Sequence, residues 1–166
     1  MSDSASDDIP DHVKLMKENA PKLMSIAPYA AALGMELIDF DQGVARMRAP
    51  YREDLVGDPE TGVIHGGVVT ALLDNCAGVA VISALQKFKS TATLDLRIDY
   101  MRPGERGRDI MGEAECYNVT KSVAFVRAWA YHDSKDRVIA TAAGAFALND
   151  PGGWAKMANK AKEALS

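Results

Sequence analysis

The sequence predicts an α+β protein in which a curved antiparallel sheet wraps around one long central helix, with short helices at its N- and C-terminal ends. Three observations carry this. Residues 66–85 form an almost wholly apolar run, about 30 Å long as a helix. Four strand-like segments of about ten residues follow it with no helix between them, each about 33 Å long when extended, so strands and helix match in length. The loops between those segments are short, which joins strands in antiparallel fashion.

Each element has its own signal. Residues 1–11 hold four aspartates and no apolar or basic run, so they read as a disordered acidic tail and not as a secretory signal. Residues 12–24 place Val13, Met16 and Leu23 at helical spacing, interrupted by Pro21, which predicts a short helix and a further turn. The stretch GMELIDFDQGVARMRAP, 34–50, predicts a hairpin turning at Asp41-Gln42-Gly43. Residues 51–63 contain GDPETG and predict a loop into the long helix.

Beyond the helix, residues 90–100 alternate Ala92, Leu94, Leu96, Ile98 and Tyr100 against Thr91, Thr93, Asp95, Arg97 and Asp99. RPGERGRD turns the chain into strands over 109–119, 123–132 and 138–148, an expected meander. Ala140, Ala142, Ala143, Gly144 and Ala145 are small enough to let the last strand approach its neighbours closely. Pro151-Gly152-Gly153 ends the sheet. Residues 151–166 close the chain with an amphipathic helix whose apolar face is Trp154, Met157, Ala158, Ala161 and Leu165. The expected domain spans 12–150.

Composition excludes several classes. The 166 residues are 48% hydrophobic and 25% charged, enough apolar material for one core. A net charge of −4 argues against nucleic acid, whose phosphates call for a basic face. Cys76 and Cys116 lack CxxC spacing, so neither a disulfide framework nor a metal site is expected, and a reduced, cytoplasmic setting follows. The run 66–85 is long enough to span a bilayer. Asp74 and Asn75 at its centre would be costly against lipid, and Gly66, Gly67 and Gly78 lower its hydrophobicity. A core helix is the better reading, with no membrane partner.

The chemistry-bearing stretch is GVIHGGVVTALLDNCAG, 62–78. The first turn of a helix leaves N–H groups unpaired, with partial positive charge where an oxyanion would form. Glycine lets a ligand reach that backbone. His65-Gly66-Gly67 at a loop-to-helix junction suits such a site, and the competing reading is that the glycines only permit a tight turn. Asp74 lies among Leu72, Leu73, Cys76 and Ala77, where desolvation strengthens a base. Its competing reading is a structural carboxylate bonded by Thr70 or Asn75. Carboxylates buried without a partner are rare, which favours function. His65 is either a base or a residue that fixes the loop. His12 and His132 carry no ligation or catalytic pattern, and Met35 and Met47 read as core.

The hairpin, the loop, IHGGVVTALLD at the helix entry and TLDLRIDYMRPG on the following strand together resemble the hotdog-fold acyl-CoA thioesterases of the phenylacetate-pathway (PaaI-like) type, over residues 33–148. The resemblance implies hydrolysis of the thioester between an acyl group and coenzyme A, with no cofactor and no metal. Asp74 matches the family's catalytic carboxylate, general base or nucleophile. Gly66 matches the residue whose N–H polarises the thioester carbonyl, His65 the histidine beside it, and Thr93 a Ser or Thr that positions water. Gly67, Asn75 and Arg102 are assigned to substrate binding; Arg102, with Arg106 and Arg108 in the next turn, either meets a CoA phosphate or belongs to a solvated basic turn. The departure is Pro59, between Asp58 and Glu60, where relatives often carry an asparagine.

From His65 to Asp74 a helix rises about 13.5 Å and turns through about nine steps of 100°, onto the opposite face. One chain cannot bring both to one substrate atom, so either one of them is not catalytic or a second subunit related by a two-fold axis completes each site. The resemblance implies the same assembly, a homodimer with composite active sites, paired into a homotetramer. Two other functions remain: a non-catalytic acyl-CoA-binding or regulatory domain, motivated by Pro59, and an acyl-thioester hydratase, which lacks its HFPGxP-like loop here. Phe125, Trp129 and Tyr131 mark either an aromatic neighbourhood for the acyl group or the core.

Overall fold

The computed structural model describes residues 9–20, 22 and 27–149. Helices α1 (Asp11–Glu18) and α2 (Pro28–Ala32) precede the hairpin of β1 (Glu36–Asp41) and β2 (Val44–Ala49). A short pair, β3 (Val56–Asp58) and β4 (Val63–Ile64), leads into α3 (Gly66–Ala84). Strands β5 (Ser90–Tyr100), β6 (Ile110–Val119), β7 (Val123–Tyr131) and β8 (Ala140–Asn149) follow. Six strands make one antiparallel sheet in the order β1-β2-β6-β7-β8-β5, with α3 against one face, which is the expected hotdog arrangement.

Helix α3 is apolar around most of its circumference and therefore seeks enclosure. Val68, Val69, Leu72, Leu73, Cys76, Ala77, Val79, Ala80 and Val81 are buried. It has the length and apolarity of a membrane span, yet more than half of it is buried inside the chain, as expected of a core helix. The sheet meets it with small side chains: Ala45, Ala114, Ala124, Ala128 and Ala130 are fully or almost fully buried. At its far end, His12 of α1 contacts Ile82 O at 3.2 Å, so its ring N–H can cap the last turn. That residue showed no role in the sequence.

The aromatic residues of β7 face the other way. Phe125, Trp129 and Tyr131 alternate with the buried Ala124, Val126, Ala128 and Ala130, so they lie on the sheet face away from α3. Here Glu113 bonds Lys135 at 2.6 Å and Arg46 at 2.9 Å. Burial pushes its carboxyl up, but the two cations outweigh that and hold it below the usual glutamate range.

Three expectations are corrected. Residues 51–63 are not wholly a loop, because β3 and β4 pair there and the His65 N–H bonds Leu55 O at 2.9 Å. The meander holds for β6, β7 and β8 only. Strand β5 runs along the outer edge beside β8, and residues 101–109 cross the sheet end to reach β6. Three strand spacings are about 14 Å, and nine residues reach about 30 Å, so the crossing is easy. The expected tail over residues 1–8, the turn at Pro21 and Leu23, and the helix at 151–166 lie outside the described residues.

The third correction concerns alternation in β5. Thr93 pairs with Phe146 and Asp95 with Ala145, so Leu94 is an extra, bulged residue, 61% exposed. The bulge reverses the alternation. Thr91 and Thr93 share the helix-facing side with Leu96, Ile98 and Tyr100, rather than opposing them. Gly144 accommodates it: a Cβ there would lie 2.5 Å from Asp95 O. Gly144→Ala should therefore cost about 1–3 kcal/mol by forcing the bulged backbone aside. A urea titration checks this, as a lower midpoint at unchanged slope.

Candidate active site

The site begins at the cap of α3. His65 Nδ1 accepts the Gly67 N–H at 2.9 Å, satisfying one of the orphan donors of the first turn. With Nδ1 an acceptor, the neutral ring carries its proton on Nε2, so exposed His65 offers a hydrogen-bond donor. The two adjacent glycines then differ in kind. A Cβ on Gly67 would stand 2.9 Å from His65 Nδ1, so the cap itself demands glycine. A Cβ on Gly66 would meet the Tyr100 hydroxyl at 3.4 Å, an ordinary contact. Among the described residues the Gly66 N–H meets no acceptor, and no neighbour demands that this residue be glycine.

From there Gly66, Thr70 and Asp74 follow at i, i+4 and i+8, a stripe along α3 facing β5. At its start the Tyr100 hydroxyl donates to Gly66 O at 2.6 Å. Thr70 Oγ1 lies 3.0 Å from that hydroxyl and 3.2 Å from Gly66 O. At its far end Thr93 donates to Asp74 Oδ1 at 2.7 Å. Oδ2 has no donor among the described residues, which leaves it to act on a water or a carbonyl carbon. Asp74 is half-buried, because among the described residues no strand lies beyond edge strand β5. Neither Thr70 nor Asn75 bonds it; the Asn75 amide donates back to Ala71 O at 2.8 Å. Gly66 and Asp74 thus share one face, and what separates them is about 12 Å of helix rise.

The other expected residues fall around this seam. Gly67 has its N–H occupied by His65. Arg102 lies two residues past the Tyr100 end of β5 and lines a 230 Å³ cleft in which Arg108 and Arg137 are matched by Glu105, Asp133 and Asp136. Arg108 is paired with Glu105 and Asp133, and Arg106 with Glu53, so of the three loop arginines Arg102 has no acidic partner among the described residues. Beside Pro59, Asp58 shapes the turn: the Thr61 hydroxyl, then the Glu60 N–H, holds its carboxyl below the usual range. Burial pushes the Cys76 thiol up to about 12, which excludes it as a thiolate nucleophile at neutral pH. Tyr100 has no assigned role in the sequence reading, and Thr70 figures there only as a partner of Asp74, which it does not bond. The signal available was the spacing of positions 66, 70 and 74 together with the end of the DYMRP strand.

Known proteins resemble this chain in sequence and in fold. The family model of the thioesterase superfamily matches residues 61–139. A Halobacterium salinarum protein with an esterase name is 39% identical over 94 residues, 55% of this chain and 61% of that one. This chain thus spans somewhat under two thirds of that relative. The medium/long-chain acyl-CoA thioesterase YigI of Escherichia coli is 29% identical over 128 residues, 69% of this chain and 81% of that one. A crystal structure from Pseudomonas aeruginosa is 41% identical with a TM-score of 0.70, covering 78% of this chain and 96% of that one. A mutant form of the phenylacetic acid degradation protein PaaI from Thermus thermophilus is 25% identical with a TM-score of 0.64, covering 72% of this chain and 97% of that one.

The contrast between the glycines is measurable without any substrate. Gly66→Ala should fold at least as stably as the parent, gaining up to about 1 kcal/mol of helix propensity. Gly67→Ala should lose about 0.5–2 kcal/mol with the His65 cap. Parallel thermal and urea unfolding of the two variants checks both signs.

Proposed function

The chain belongs to the thioesterase superfamily, and on that footing we propose that it is an acyl-CoA thioesterase, hydrolysing an acyl-coenzyme A to a free carboxylic acid and CoA. The observation that carries the reading is the α3–β5 seam. It has a hydroxyl-held carboxylate at one end and a helix start with an unpaired N–H at the other. The Gly66 N–H, backed by the helix dipole, polarises the thioester carbonyl and stabilises the oxyanion. Asp74 Oδ2 takes a proton from water as its oxygen bonds the acyl carbon. The C–S bond then breaks, and the proton passes to the departing CoA thiolate. Alternatively Oδ2 itself attacks, and water opens the resulting anhydride. Thr93 orients the carboxylate through Oδ1, His65 Nε2–H is a second donor, and Arg102 meets a CoA phosphate.

The two ends of one seam serve two different sites. Among the described residues the outer edge of β5 has no partner strand, and Leu94, Tyr100 and Met101 leave large apolar surface exposed along it. Pairing of β5 with β5 of a second copy about a two-fold axis near Leu96 and Arg97 sets Thr93 of each copy opposite Tyr100 of the other. Each site then takes Asp74 from one subunit and Gly66 from its mate, in a homodimer that pairs into a homotetramer. The free thiols Cys76 and Cys116 suit a reducing cytoplasm. Pro59 motivates the second reading, a domain that binds acyl-CoA without cleaving it.

A panel of acyl-CoA substrates, medium and long chains first after the name of the E. coli relative, separates the two readings by release of free CoA. The parent should turn over at least one of them, and Asp74→Asn should lower kcat at least about 10²-fold while keeping its fold by circular dichroism. Binding of acyl-CoA with no CoA released from any chain length would establish the binding domain instead.

A further inference from the structure

Two hydroxyls converge on the carbonyl of Gly66, and one is placed there by the bulge. The Tyr100 proton is committed to Gly66 O at 2.6 Å, so this hydroxyl has none to offer a substrate. Thr70 Oγ1, 3.0 Å from the tyrosine oxygen, backs the bond. The ring itself is not core: Tyr100 is 51% exposed, whereas Leu96 and Ile98 further back on β5 pack on the core. A phenylalanine would cover Gly66 equally well, so the hydroxyl is the informative part. A helix opening with two adjacent glycines carries extra backbone freedom in its first turn. A transition-state donor must instead be held within about 0.5 Å and 10–20°.

We propose that Tyr100 is a positioning residue: by anchoring Gly66 O to edge strand β5, its hydroxyl fixes the direction of the Gly66 N–H that polarises the thioester. The inference rests on the reading of Gly66 given above. It makes the two hydroxyls of β5 counterparts, Thr93 holding the carboxylate and Tyr100 holding the carbonyl-polarising turn. Because the Tyr100 hydroxyl touches no substrate atom, its loss acts on the transition state and leaves ground-state binding alone.

Tyr100→Phe tests this by steady-state kinetics on the best acyl-CoA of the panel. The expected result is a fall in kcat of about 10- to 100-fold, with KM within about twofold and with melting temperature and oligomeric state unchanged. Thr70→Val should move kcat in the same direction by less. Unchanged kcat, or a raised KM at unchanged kcat, would overturn the proposal, as would a fall in kcat accompanied by loss of fold or assembly in both variants. Gly66→Pro, which removes the N–H at a first helical position where proline is tolerated, is the control for the underlying reading. If it keeps full turnover, the carbonyl-polarising role itself fails. If it loses turnover while Tyr100→Phe keeps it, only the role of Tyr100 fails.

Discussion

Thr93 bonds Asp74 at 2.7 Å and, seven residues on, Tyr100 bonds Gly66 at 2.6 Å, and both bonds depend on the extra residue at Leu94. In an unbroken strand, residues an odd number apart point to opposite faces. Only one of these hydroxyls could then reach α3. The bulge puts both on the helix side and turns Leu94 outward. It fits against β8 because Gly144 has no Cβ to strike Asp95 O. A single glycine on one strand thus sets what the neighbouring strand can present to the helix.

The rest of the architecture follows from enclosing α3. A helix apolar on most sides needs cover along its whole length, and β2, β6 and β7 supply it with alanines that allow close approach. Charged and aromatic side chains of the same strands are thereby turned to the opposite face, where Glu113, Lys135, Arg46 and Trp129 form their own layer. The stripe of α3 formed by Gly66, Thr70 and Asp74 faces the edge strand. Polar groups are tolerated there because enclosure is incomplete.

Much of this was legible in the sequence. The apolar run at 66–85 became α3 at Gly66–Ala84, and the strand segments were placed to within about two residues, since period and composition are local signals. The junction of His65, Gly66 and Gly67 and the lone carboxylate of Asp74 stood out for the same reason. Long-range features were not legible. The bulge at Leu94 answers to Gly144, fifty residues away, and strict alternation of 90–100 hid it. The position of β5 beside β8 rests on a ladder running from Ser90 opposite Asn149 to Tyr100 opposite Ala140, between residues far apart in the chain. His12 took its role at Ile82 only when α1 folded back. Tyr100 looked like one more apolar-face residue because its hydroxyl has no partner in sequence.

The central claim is that one chain supplies the carboxylate of a site and its mate supplies the helix start. Two inactive variants test it directly: Asp74→Ala, and Gly66→Val, whose branched side chain blocks approach to the N–H. The two are unfolded and re-paired together, with each re-paired alone as a control. Random re-pairing makes half the dimers mixed, each with one site carrying both lesions and one carrying neither, so activity should return to about a quarter of the parent. No recovery in a mixture proven to contain mixed dimers would mean that every site is built within one chain, and would contradict the account.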